Sequence, residues 1–183
     1  MNRLPELSED ALSPEQREIR DTIASGPRGG ARGPFPAMLR SPELARRAAH
    51  LGEFLRFNTS LPPRLSELAI LVTARAWTAQ YEWYAHAKLA LKGGLDPKIV
   101  DAIAERREPP FEKDDERTVY TFCKELHETH GVSDATYERT KEAFGERGIV
   151  EIIGLSGYYV LVGMTLNVAR VPLPEGEPIP LKD

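Results

Sequence analysis

Leu61-Pro62-Pro63-Arg64-Leu65-Ser66-Glu67-Leu68-Ala69-Ile70-Leu71, continued through Ala79-Gln80-Tyr81-Glu82-Trp83-Tyr84-Ala85-His86, decides how this chain is read. Leu65, Leu68, Ala69, Val72 and Ala76 recur at helical spacing behind two prolines, and Gly93-Gly94 closes the segment. A helix break or restart is expected near residues 78–80. From there Glu82 and His86 are i,i+4 neighbours on one face, so a carboxylate can orient an imidazole, and the pair can hold and move a proton. Glu67 lies fifteen residues before Glu82, about 22 Å along one straight helix. A shared site therefore requires a hairpin or a subunit contact. The plainer reading is a solvated pair worth a few tenths of a kcal/mol, with Trp77, Tyr81, Trp83 and Tyr84 simply filling core.

Outward from this stretch, proline organises the chain, because it removes a backbone donor and costs about 3 kcal/mol in a helix interior. Eight of the fifteen prolines precede residue 64, and four fall between Pro172 and Pro180, leaving windows 64–96 and 111–171 free of them. Ser13-Pro14-Glu15-Gln16 predicts a capped helix ending near Ser25-Gly26, and Ser41-Pro42-Glu43-Leu44 opens another to about Phe57, with Leu44, Ala48, Leu51 and Leu55 along one face. Asp96-Pro97 caps a short helix to about Arg106. Further helices are expected over Asp114–Thr129 (Val119, Phe122, Cys123 and Leu126 inward), Ser133–Phe144 and Arg147–Val168. Sustained period-two alternation is absent, so the class is all-α. Three parts are expected: an N-terminal arm with a short helix (1–36), a helical domain (37–171), and an extended Pro-rich tail (172–183) suited to lying across a neighbouring subunit.

Composition excludes several functions. With 24 Lys plus Arg against 28 Asp plus Glu, the net charge is -4 and the signs are interspersed, which argues against nucleic acid as a partner. The single cysteine, Cys123, cannot form an intrachain disulfide, build a Cys-rich zinc site or run a two-thiol redox cycle. A cytoplasmic location follows as the expectation, since no apolar signal stretch follows Arg3. Residues 149–169 are apolar but contain Glu151, Asn167 and three glycines, so they read as a buried helix and no membrane is expected. Gly26 to Pro34 resembles a phosphate cradle only superficially: it follows a helix and lacks the Gly-Lys-Ser/Thr ending, so it reads as a mobile arm.

The stretches Leu61–Leu71 and Ala79–His86, with Gly154-Leu155-Ser156-Gly157-Tyr158-Tyr159 and Asn167 to Pro174, resemble the carboxymuconolactone decarboxylase family over roughly residues 35–175. The resemblance implies an alkylhydroperoxidase D-like bundle of helical hairpins, assembled as a trimer or hexamer. In the peroxidase branch of that superfamily, a glutamate, a Cys-x-x-Cys pair and a histidine form the motif. Here Glu67 and His86 match, while Ala79 and Glu82 stand where the thiols would be. Peroxide reduction needs one thiolate to attack and a second thiol to resolve the sulfenic acid, which Ala79 and Glu82 cannot do. Cys123 reads as packing.

The resemblance implies a lyase that removes carbon dioxide from a small carboxylated lactone in aromatic-compound catabolism, with no cofactor or metal. His86 is the expected proton shuttle, Glu82 its acid/base partner, and Glu67 a member of the relay. Arg75, eight residues after Glu67, is the candidate anchor for a substrate carboxylate, against a salt-bridge role. Trp77, Tyr81 and Trp83 are candidate cavity walls that exclude water and raise a carboxyl pKa. His127 and His130 read as helix-end residues and His50 as a buried histidine. Three alternatives stay open: a peroxiredoxin activity, a lactone hydrolase using the same residues, and a non-catalytic oligomeric binding protein.

Overall fold

The computed structural model describes residues 1–27 and 29–182; Arg28 of the glycine-rich loop and Asp183 of the tail lie outside the described residues. All regular structure among them is helical. A 3-10 turn (Glu9–Ala11) precedes α1 (Pro14–Ser25), α2 (Phe35–Met38), α3 (Pro42–Phe57), α4 (Pro63–Ala76), α5 (Gln80–Lys92), α6 (Pro97–Ala104), α7 (Asp114–Thr129) and α8 (Asp134–Ala169).

The caps explain the boundaries. Ser13 and Gln16 form a complete capping box, Asp96 accepts from the Lys98 N–H, and Ser133 accepts from the Thr136 N–H. Ser41 makes no such side-chain bond, so α3 starts on its proline alone. The inward face of α3 also differs from expectation: Ala45, Ala48, Ala49, Gly52 and Leu55 are buried, whereas Leu44 and Leu51 are 45% and 50% exposed. Small residues let α3 approach its neighbours closely, which turns the large leucines outward beside Phe54.

α4 is the central helix, packed against α5, α7 and α8, and every residue from Leu65 to Arg75 is buried. An all-round apolar sequence belongs in such a place. Its first turn is fixed by Arg64, which holds both carboxylate oxygens of Asp115 (2.7 and 3.2 Å) and also Glu116 on α7.

α8 contains both expected C-terminal helices, joined at Gly145, whose φ of 66° and ψ of 178° interrupt the helix. The Cβ of an L-residue is strained there, so glycine makes the bend. Among the described residues α8 is the one helix long and apolar enough by composition to cross a membrane, and 56% of its most apolar window is buried in the domain. Glu151 is accommodated because Ser60 donates to it twice (N 2.7 Å, Oγ 2.5 Å) and Arg147 once (2.8 Å).

The tail is extended but folds onto its own chain. Gln80 brackets Leu181, donating to its carbonyl at 2.8 Å and accepting from its N–H at 3.0 Å, and Arg75 Nη2 donates to the Lys182 carbonyl at 2.6 Å. Leu181 is buried as a result.

Candidate active site

The turn between α4 and α5 creates the site. Trp77 ends α4, Thr78 takes a left-handed conformation (φ 44°), and the Ala79 N–H returns to the Ala74 carbonyl at 2.8 Å. The chain thereby reverses direction within three residues, and Glu67 on α4 comes to face His86 on α5. His86 Nδ1 donates to Glu67 Oε2 at 2.6 Å, with both side chains buried. This fixes the imidazole plane and leaves Nε2 as the free ring nitrogen. Tyr159 of α8 stands edge-on to the ring, 4.8 Å between centroids and 82° between planes, and Tyr158 packs edge-on to Tyr159 at 5.3 Å.

Glu82 lies one turn before His86 and is 2% exposed. Neither of its carboxylate oxygens has a hydrogen-bond partner among the described residues. Two effects oppose each other here. Its place in the first turn of α5 favours the anion by about 0.3–1 kcal/mol, while an unpaired buried charge costs several kcal/mol. Burial wins and holds the Glu82 carboxyl well above the usual carboxylate range. Burial thus favours the protonated form of Glu82.

Glu82, His86 and Tyr81 line one cavity of about 260 Å³ with Tyr158, Tyr159, Val162 and Leu166 from α8. That is the room of roughly nine liquid waters. The remaining wall comes from Arg56 at the end of α3 and from Gly30, Arg32, Gly33, Pro34 and Phe35 of the arm. Gly33 (φ 67°) lies so close to the Tyr81 ring that an added Cβ would stand 3.3 Å from it. Gly163 faces the site from behind, its Cβ position 3.5 Å from Ala79 Cβ and 3.8 Å from Glu82 Oε2.

The other sequence candidates lie elsewhere. Arg75 lines a separate cavity of about 290 Å³ with Tyr120, Lys124 and His127, where it holds Thr78 and the tail. Eight residues at 100° each rotate Arg75 about 80° away from Glu67, enough to aim it at another surface. Trp77 is 37% exposed at the turn, where its carbonyl accepts from Asn167 at 2.9 Å, and Trp83 is buried in the hydrophobic core. Of the three proposed wall residues, only Tyr81 lines the cavity that holds Glu82. His127 does not act on the helix end: its Nε2 meets Thr73 Oγ1 at 2.9 Å and burial lowers its pKa, while His130 ends α7 through its left-handed backbone. His50 lines a small cavity against α1 and is exposed. Cys123 is fully buried 3.7 Å from Ser156 Oγ, and burial pushes its thiol up to about 12. No group of three His, Cys, Asp or Glu among the described residues is placed to hold a metal ion.

Arg32, Arg56, Tyr158 and Tyr159 were not legible as site residues. The tyrosines belong to a stretch recognised only as pattern. Arg56 ends an ordinary amphipathic helix, and Arg32 sits in a loop whose glycines signal only freedom.

Comparison with known proteins accords with this geometry. Residues 42–125 match the model of the carboxymuconolactone decarboxylase family. No curated protein matches the chain. A crystal structure of an alkylhydroperoxidase AhpD core, an uncharacterized peroxidase-related protein from Ralstonia eutropha JMP134, superposes with a TM-score of 0.76 at 17% identity, over 95% of this chain and 93% of that one. At that identity the likeness establishes the fold.

Proposed function

We propose that this chain, residues 42–125 of which match the carboxymuconolactone decarboxylase family model, belongs to that superfamily and is a cofactor-free acid/base enzyme, a carboxy-lyase acting on a small carboxylated lactone or related acid. The observation that carries this reading is the unpartnered, buried Glu82 carboxyl sharing a cavity with the Glu67–His86 pair. A carboxyl held toward its neutral form by burial can give a proton, and an imidazole whose Nδ1 is held by a carboxylate presents a second proton-transfer atom, Nε2.

The step balances simply. The bond between the substrate carbon and its carboxylate breaks, carbon dioxide departs, and the electron pair enters the conjugated carbonyl as an enolate. Glu82 or His86 then delivers one proton to carbon, and solvent restores it through the wet side of the cavity. The aromatic wall of Tyr81, Tyr158 and Tyr159 limits water around the anionic intermediate and strengthens its interactions with the acid. Peroxidase chemistry is disfavoured because Cys123 is buried, outside the cavity, and a thiol until about pH 12.

Incubation with 4-carboxymuconolactone, following carbon dioxide release, tests the reading. Turnover that falls by about 10²- to 10⁴-fold in both His86→Ala and Glu82→Gln supports it. Absence of turnover by the wild type removes the named substrate, and losses below about tenfold in both variants remove the proton-transfer roles. The reading includes a homo-oligomer, supported by exposed apolar residues on α3 (Leu44, Leu51, Phe54) and α8 (Val150, Ile153, Met164, Val168). A monomer by light scattering contradicts it.

A further inference from the structure

We infer that Arg56 and Arg32 form a two-point clamp for the carboxylates of a dianionic substrate, and that the arm preceding α2 is thereby a specificity element of the site. The inference rests on the reading of Glu82 and His86 as the reacting end of the same cavity.

The first argument is an unmet demand. Arg56 lines the cavity, its Nε is buried without a hydrogen-bond partner, and it makes no ion pair among the described residues. Its guanidinium rests on the Phe57 ring at 4.9 Å, which holds the cation but satisfies none of its donors. Arginine offers five donors in a rigid fork that matches a carboxylate bidentately, so an idle, partly desolvated fork at a cavity wall has a carboxylate as its natural complement. Arg46, whose Nε is also buried without a hydrogen bond, differs in having Glu15, Glu18 and Glu43 within ion-pair distance.

Charge balance is the second argument. Burial holds Glu82 toward its neutral form, and the Glu67 carboxyl is engaged by His86 rather than by either arginine. Arg56 and Arg32 are the two arginines of the cavity wall, and neither has an ion pair among the described residues. Two carboxylates on one ligand complement this pair, and a cavity of about 260 Å³ admits only a small ligand.

The third argument concerns the arm. Arg32 makes no ion pair among the described residues, and its stem folds back over Gly30, where an added Cβ would meet Arg32 Nε at 3.2 Å. Gly33 then sets the backbone against Tyr81. These two glycines, at φ of 158° and 67°, bring the guanidinium to the cavity without a side chain intervening. Arg32 lies before residue 42, where the family match begins, so this wall is supplied by sequence outside the matched segment.

The test is equilibrium binding of isophthalate, its monomethyl ester and its dimethyl ester, by titration calorimetry, to wild type, Arg32→Met, Arg56→Met, Arg56→Lys and Arg47→Met. The clamp predicts that wild type prefers the diacid over the diester by at least tenfold. Each methionine variant should weaken the diacid by about 10- to 100-fold, with Arg56→Lys retaining part of the binding. Arg47→Met, on the exposed face of α3 and outside the cavity, should bind the diacid within about threefold of wild type, which ties the loss to the two cavity arginines. Arg32 is exposed, so its variant folds regardless of how Arg56 responds. Equal affinity for diacid and diester, or undiminished diacid binding in both methionine variants, overturns the clamp even if turnover is found. A diacid preference that is lost in both methionine variants, in a wild type without turnover, supports the clamp and counts only against the proton-transfer reading.

Discussion

Replacing Glu82 with glutamine should change how stability depends on pH, and the size of the effect follows from the site. Folded, the Glu82 carboxyl has no hydrogen-bond donor and is held above its ordinary value of 4.5 by burial. Unfolded, it ionises at about that ordinary value. Above pH 4.5 the unfolded chain has released this proton and the folded chain has kept it, so the folded state binds one proton more. Stability from this group is therefore lost as pH rises, by about 1.4 kcal/mol per unit, until the folded carboxyl itself ionises. The Glu82→Gln variant has no such slope. Its amide is equally unsatisfied in the pocket, which adds a constant cost of about 1–3 kcal/mol. The measurement is urea unfolding of both proteins at pH 5, 6 and 7 and one protein concentration. The stability difference, variant minus wild type, should shift toward the variant by about 1.4 kcal/mol for each unit, or roughly 3–6 °C in melting temperature. A difference that stays constant from pH 5 to 7 means that Glu82 is already charged in the folded protein, and the neutral-acid role fails.

Further outcomes follow from neighbouring residues. Glu67→Gln keeps the shape of the Nδ1 contact but removes its charge, so turnover should fall by about 10²-fold while circular dichroism is unchanged; full activity would make the pair structural. Cys123 should be unreactive toward a thiol reagent at pH 8 until the protein unfolds, and Cys123→Ala should leave turnover intact; rapid labelling of the folded protein would contradict its burial. Leu181→Ala should cost about 2–5 kcal/mol, because it empties a buried contact that holds the tail against the α4–α5 turn; a thermal melt within 2 °C of wild type would show the tail to be dispensable.

The helices were legible because proline, glycine and capping residues punctuate the chain at nearly every boundary. The break near residues 78–80 was legible as well, and it is the feature that lets Glu67 meet His86. Helical phase was read less well: Leu44 and Leu51 look like core by hydrophobicity, yet small residues one position away are what the neighbouring helices require. Arg75 failed for a related reason, since an error of 80° in phase is invisible in a list of residue types but decides which cavity a side chain enters. Arg32 and Arg56 carried no signal at all, because periodicity reports burial within one helix and their significance arises only where three distant segments meet.

The close approach of Gly33 to Tyr81 sets the arm against the α4–α5 hairpin in a cavity that α3 and α8 also line. Glu67, Glu82 and His86 sit on the α4–α5 hairpin, within the family match, whereas the glycine-bearing arm precedes it. Under the proposed reading rate and selectivity are separable: substitutions in the arm would change which ligand is held while leaving the residues that move the proton untouched.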